Sequence, residues 1–83
     1  MLSELSQEKI QNFHKQIALN VAKIRKEKGL SQLELSLEIG LKSCSLVAGA
    51  EANYKNIHFN LEHLYKISKV LNVKMSEFFE NLE

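Results

Sequence analysis

The sequence predicts an all-α fold of five helices, the first of them long. Three observations predict it. There is no proline and there are only three glycines among 83 residues. Apolar residues recur every three or four positions over most of the chain, and residues that start and stop helices punctuate that pattern. A hydrophobic content of 45% describes one small domain over residues 1–83, with a core too small to hold a buried catalytic pocket of ordinary size.

Helix one is expected over about Gln7–Lys28, where Ile10, Phe13, Ile17, Val21 and Ile24 form the apolar stripe and Gly29 is the stop. At about 1.5 Å per residue it would be roughly 33 Å long. Helix two, about Gln32–Ile39, begins at a capping box: Ser31 accepts from the amide of Glu34 while Glu34 reaches back to Ser31. Gly40 ends it, because glycine adopts the left-handed conformation that follows a helix. Ser36 is small enough to let a neighbouring helix approach. Helix three is expected over about Ser43–Ala50, with Leu35, Ile39, Leu41 and Leu46 anchoring the pair. Helix four, about Leu61–Leu71, has Asn60 as its cap, a buried stripe of Leu61, Leu64, Ile67 and Leu71, and Asn72 where the chain leaves. Helix five is short, with Met75, Phe78, Phe79 and Leu82 on one face.

Helix, glycine turn, helix over about residues 31–51 is the outline of a helix-turn-helix. The spacing resembles the Xre/Cro-type regulators, whose motif opens with Gln, has a small residue four positions on, Gly at the turn and an apolar residue six after it. Gln32, Ser36, Gly40 and Leu46 match. The resemblance extends to residues 21–30 before the motif and 61–73 after it, and covers roughly residues 18–82. It implies a lambda-repressor-like DNA-binding domain. The family's first helix begins near Ala18 in this register, so residues 3–17 are an N-terminal extension that lengthens helix one.

The function implied is sequence-specific binding of double-stranded DNA by a transcriptional regulator, a repressor occupying a short palindromic operator as a homodimer. Net charge is only +1, but it is uneven. Residues 23–55 carry Lys23, Arg25, Lys26, Lys28, Lys42 and Lys55 against Glu27, Glu34, Glu38 and Glu51, a net +2 around the motif, whereas residues 56–83 are net −1. The plain alternative for Lys23 to Lys28 is a solvated helix face.

By the resemblance, Gln32 at the start of helix two grips the DNA backbone, where free amides already favour an anion. Lys42 precedes helix three, and Tyr54, Lys55 and Asn56 lie in a loop that runs along the backbone in relatives. Solvent-facing or packing roles are the alternatives for Gln32, Lys42 and Tyr54. Helix three departs from the family: Ser43, Cys44, Ser45, Val47 and Ala48 stand at the outward positions, and none is a long polar residue. Direct readout is therefore thin, resting on small hydroxyls and on Val47 or Ala48 against a thymine methyl. Gly49 replaces the family's apolar residue, and the family's acidic residue stands one place late, as Glu51. A one-residue insertion or a frayed helix end explains both.

Phe13, Ile17, Phe78, Phe79 and Leu82 exceed what one small core needs and are expected to support the dimer, with folding of the extended first helix back on helix five as the alternative. The lone Cys44 has no disulfide partner within the chain; a thiol near a helix N-terminus suits a redox sensor, and a serine replacement is the simpler reading. His14, His58 and His63 are far apart in sequence, so no metal site is expected, and no cofactor either. No catalytic set is present, which argues against an enzyme. Apolar runs fall short of the roughly 20 residues of a membrane span, and the start of the chain lacks a secretory signal, so a cytoplasmic location is expected. The rival function is an interaction module that keeps the fold without DNA binding.

Overall fold

The computed structural model describes residues 6–82. Four α-helices follow in order: α1 (Gln7–Glu27), α2 (Gln32–Glu38), α3 (Ser45–Glu51) and α4 (Leu61–Leu71). Two 3₁₀ turns, Tyr54–Asn56 and Met75–Phe79, complete the architecture, with no strand among the described residues. No helix there is long and apolar enough to cross a membrane.

Helices α1, α2 and α4 each start and stop on local chemistry. Ser6 Oγ accepts from Lys9 N at 3.1 Å to open α1. Ser31 and Glu34 form the expected capping box on α2, at 2.9 and 2.8 Å. Asn60 caps α4 through His63 N at 2.7 Å. Three of the stops share one wiring, in which the residue beyond a left-handed one donates back to the carbonyl five residues earlier. Leu30 N bonds Arg25 O past Gly29, Leu41 N bonds Ser36 O past Gly40, and Val73 N bonds Ser68 O past Asn72. Gly40, at φ +90°, turns the chain sharply enough for α3 to fold back against α2.

The core is built from one face of every helix. Val21, Leu35, Val47, Ile67, Leu71 and Phe78 are all sealed from solvent. At about 1.5–3 kcal/mol per large apolar side chain, burial of this cluster is the main driving force for the fold. The N-terminal half of α1 stands apart from it. The buried residues of α1 begin at Ile17, while Ile10 and Phe13 remain 40% and 46% exposed.

Four expectations are corrected. The fifth helix is the 3₁₀ turn Met75–Phe79. Asn20 on α1 donates to Phe78 O at 2.9 Å and Glu80 O at 2.7 Å, so these carbonyls bond a side chain across the fold and not amides further along a helix. Ile17 and Phe78, expected at a dimer interface, are 5% and 0% exposed; the tail folds onto α1 and buries both within the monomer. Leu61 is 72% exposed, because Phe59, just before the α4 cap, fills the core position instead. Helix three runs from Ser45 to Glu51, displaced toward the C-terminus from the expected 43–50.

Candidate nucleic-acid interface

The helix-turn-helix unit is joined by a buried polar knot that reaches all three of its neighbouring helices. Arg25 on α1 forks onto Glu51 at the end of α3, Nε to Oε2 at 2.8 Å and Nη2 to Oε1 at 2.9 Å. Its Nη1 donates to Leu30 O, the first residue past the α1 stop, at 2.6 Å. Gln32 Nε2 at the start of α2 also donates to Glu51 Oε1, at 2.8 Å. The Arg25 and Glu51 side chains are 7% and 9% exposed. A two-pronged guanidinium–carboxylate contact in such shelter is directional, so it sets the angle between α1 and α3 as well as holding them.

Contact between α2 and α3 depends on small residues. Ser36 is fully buried and donates its hydroxyl to Gln32 O, one turn back on its own helix, at 2.7 Å, so the close approach leaves that hydroxyl satisfied. On the other side of α3, a side chain at Gly49 would meet Ile57 Cδ1 at 2.8 Å and Cγ2 at 3.2 Å. Gly49 is therefore not a lost apolar anchor but the gap that receives Ile57 from the following loop.

Burial also sets the register of α3. Val47, seven residues after Gly40, is sealed in the core, whereas Leu46 is only half-buried. Ala50 at 2% exposure and Glu51 then fall on the inner side. The turn thus holds one residue more than the Xre/Cro spacing, which is the insertion alternative; the late Glu51 follows from it. Val47, expected to face DNA, is a core residue, because no part of it reaches the surface.

The remaining candidates are spread over the start of α2, the turn, α3 and the loop after it. Gln32 is half-buried at the start of α2, and Lys42 is exposed in the turn. Ser43 Oγ donates to Ser45 Oγ at 3.1 Å and accepts from Ser45 N at 3.3 Å, ordering the entry to α3. Cys44 stands at the N-cap without a side-chain cap bond and is half-buried, and Ala48 is half-buried. Tyr54, Lys55 and Asn56 are exposed in the following loop, with Lys55 Nζ 5.3 Å from the Tyr54 ring centre. That loop is tightly wound: Asn53, Lys55 and Asn56 all have left-handed φ, at 53°, 49° and 61°.

Sequence reasoning missed Arg25. Its signal was there, since Arg25 lies on the same helical face as Val21, Ala22 and Ile24 and so carries a charge into the core, where a carboxylate partner is required. It also missed that His14 and His58 come together. Their rings stack with centres 3.8 Å apart and planes 12° from parallel, and no local pattern marks that pairing.

Comparison with known proteins agrees with this geometry. A family model described as helix-turn-helix matches residues 21–78. The fold is similar to that of the restriction-modification controller protein C.AhdI from Aeromonas hydrophila, with a TM-score of 0.68 and 28% sequence identity, over 78% of this chain and 94% of that one. Among curated proteins none matches the chain. With most of its length under the family model, and with the motif's turn, caps and inter-helix contacts formed, the chain belongs to the Xre/Cro-like helix-turn-helix family of DNA-binding transcriptional regulators.

Proposed function

We propose that the protein is a repressor that occupies a short palindromic operator in the cytoplasm as a homodimer of single-domain subunits. Gln32, Lys42, Lys55 and Asn56 contact phosphates, and Ser43, Cys44, Ser45 and Ala48 face base edges. The observation that carries this reading is the locked α2–turn–α3 unit, in which Arg25, Gln32 and Glu51 hold the helices while Lys42, Ser43 and Ser45 stay exposed at the entry to α3. Small side chains on α3 permit close approach and give few base contacts. Two half-sites about one helical turn apart then supply the affinity and specificity that one subunit lacks. Phe13, Phe79 and Leu82 are the residues left for subunit contact once Ile17 and Phe78 are assigned to the core. The similarity to a restriction-modification controller protein makes control of restriction and modification genes the first setting to test.

Selection of bound fragments from genomic DNA, repeated at several salt concentrations, tests the proposal. Enrichment of one palindrome, with affinity falling steeply as salt rises, is the expected result. Absence of salt-sensitive DNA binding would replace this reading with the protein-interaction module.

A further inference from the structure

The His14–His58 stack joins two parts of the molecule that nothing else in the motif explains. His14 is on the half of α1 that precedes the core, half-buried, with the Phe13 ring edge-on to it at 5.3 Å. His58 closes the left-handed loop that carries Lys55 and Asn56, and its Nδ1 lies 3.1 Å from Asn56 O. An N–H on Nδ1 satisfies that carbonyl. The cleft around the two rings is lined by Gln7, Ile10 and Gln11 from α1 and by Asn53 and Asn56 from the loop, none of them charged. Glu8, Lys9 and Lys15 on α1 and Lys55 on the loop are exposed and do not line it, nor does any residue of α2, α3 or α4 among those described.

We infer that His14 and His58 form a pH-sensitive clasp, which holds the first half of α1 against the Asn53–His58 loop while the rings are neutral and releases it when both are protonated. Parallel imidazoles in van der Waals contact tolerate one charge and oppose a second, and no carboxylate among the described residues lines the cleft to offset it. The pairing is already unfavourable to charge: burial, and then the neighbouring His58, hold His14 below the ordinary histidine range. Such a restraint acts on a costly backbone, because the loop holds three non-glycine residues in left-handed conformation, the long side chain of Lys55 among them. Its consequence for DNA rests on the interface proposed above, since the loop positions Lys55 and Asn56. The clasp itself is tested without DNA.

Hydrogen exchange on the full chain at pH 7.5 and 5.5, corrected for intrinsic rates, reads its state, with α4 as the internal standard against global unfolding. In the wild type, protection of residues 53–58 and of the first two turns of α1 is expected to fall about tenfold relative to α4 on acidification, as local opening becomes easier than global unfolding. His14→Gln and His58→Gln should each show the low protection at both pH values. In His58→Gln the proton NMR titration of His14 should move up toward the free imidazole value. Unchanged loop protection in the wild type, equal pH response in both variants, or an unmoved His14 titration would each overturn the inference.

Discussion

Arg25 and Glu51, on helices separated in sequence by the whole of α2, meet in a two-pronged ion pair sheltered from solvent, and the same carboxylate accepts from Gln32. One residue therefore closes the angle between α1 and α3 and positions a candidate phosphate-binding side chain. Glu51→Ala leaves the Arg25 guanidinium buried with only Leu30 O as a partner. A loss of about 3–5 kcal/mol is expected, read as a lowered urea midpoint. Arg25→Met combined with Glu51→Leu should cost less than either single change, because no charge is left stranded.

Gly49→Ala should not gain the stability that alanine usually brings to a helix. That gain is about 1 kcal/mol, but the new methyl meets Ile57 Cδ1 at 2.8 Å, and overpacking costs about 1–3 kcal/mol. A small net loss is expected in the wild type, and a net gain in an Ile57→Ala background. Thermal unfolding of the four proteins completes the comparison.

Stability should fall as pH drops below 6.5, in part through His63. Its Nδ1 accepts from Asn60 N at 3.1 Å in the α4 capping box, a bond available only to the neutral ring with its proton on Nε2. Burial holds His63 below the ordinary histidine range; beside this, Glu62 raises it and Lys66 lowers it further. The unfolded chain takes up the proton first, so stability is full above pH 6.5 and is lost as pH falls toward the lower folded-state value, then levels off. Gln is an ordinary capping-box residue at this position, so His63→Gln should keep the cap and shrink the fall in Tm between pH 7.5 and 5.5.

Lys42→Ala should weaken DNA binding on all sequences and reduce the salt slope by roughly one unit, with Tm unchanged because the side chain is exposed. Gln32→Ala should weaken binding as well, but at a stability cost of about 1 kcal/mol from the lost bond to Glu51. Fluorescence anisotropy over a salt series, with melting curves for each variant, separates the two effects.

Subunit contact is best tested at Phe13, which is 46% exposed and outside the core. Phe13→Ser is expected to convert a micromolar dimer to monomer by light scattering, with little change in the melting of the monomer. Phe78→Ala cannot serve, because removing a sealed phenylalanine costs about 3–5 kcal/mol of the fold itself.

The caps and stops were legible to the residue. Ser31 with Glu34, Gly29, Gly40, Asn60 and Asn72 all act as read, since each involves backbone groups within five positions of itself. The start of α3 was not legible. Ser43, Cys44 and Ser45 serve equally well in a turn or a first helical turn, so nothing local marks the extra residue before Val47. Among the candidate site residues, Lys42 and Ser45 were placed on the surface correctly, and Val47 was not, because one step along a helix rotates a side chain by about 100°.

The sequence by itself determined that four segments become α-helices, where α2 and α4 begin, and where α1, α2 and α4 stop, because those choices are decided by neighbours a few bonds away. Only the tertiary structure decided that Phe78 belongs to the monomer's core, that Arg25 meets Glu51, that Ile57 fills the gap at Gly49 and that His14 stacks on His58. Each of these contacts joins residues from different elements, and their meeting depends on how four helices of particular lengths pack at close range. That packing distinguishes Leu46 from Val47, two adjacent apolar residues whose chemistry alone gives no preference for the core.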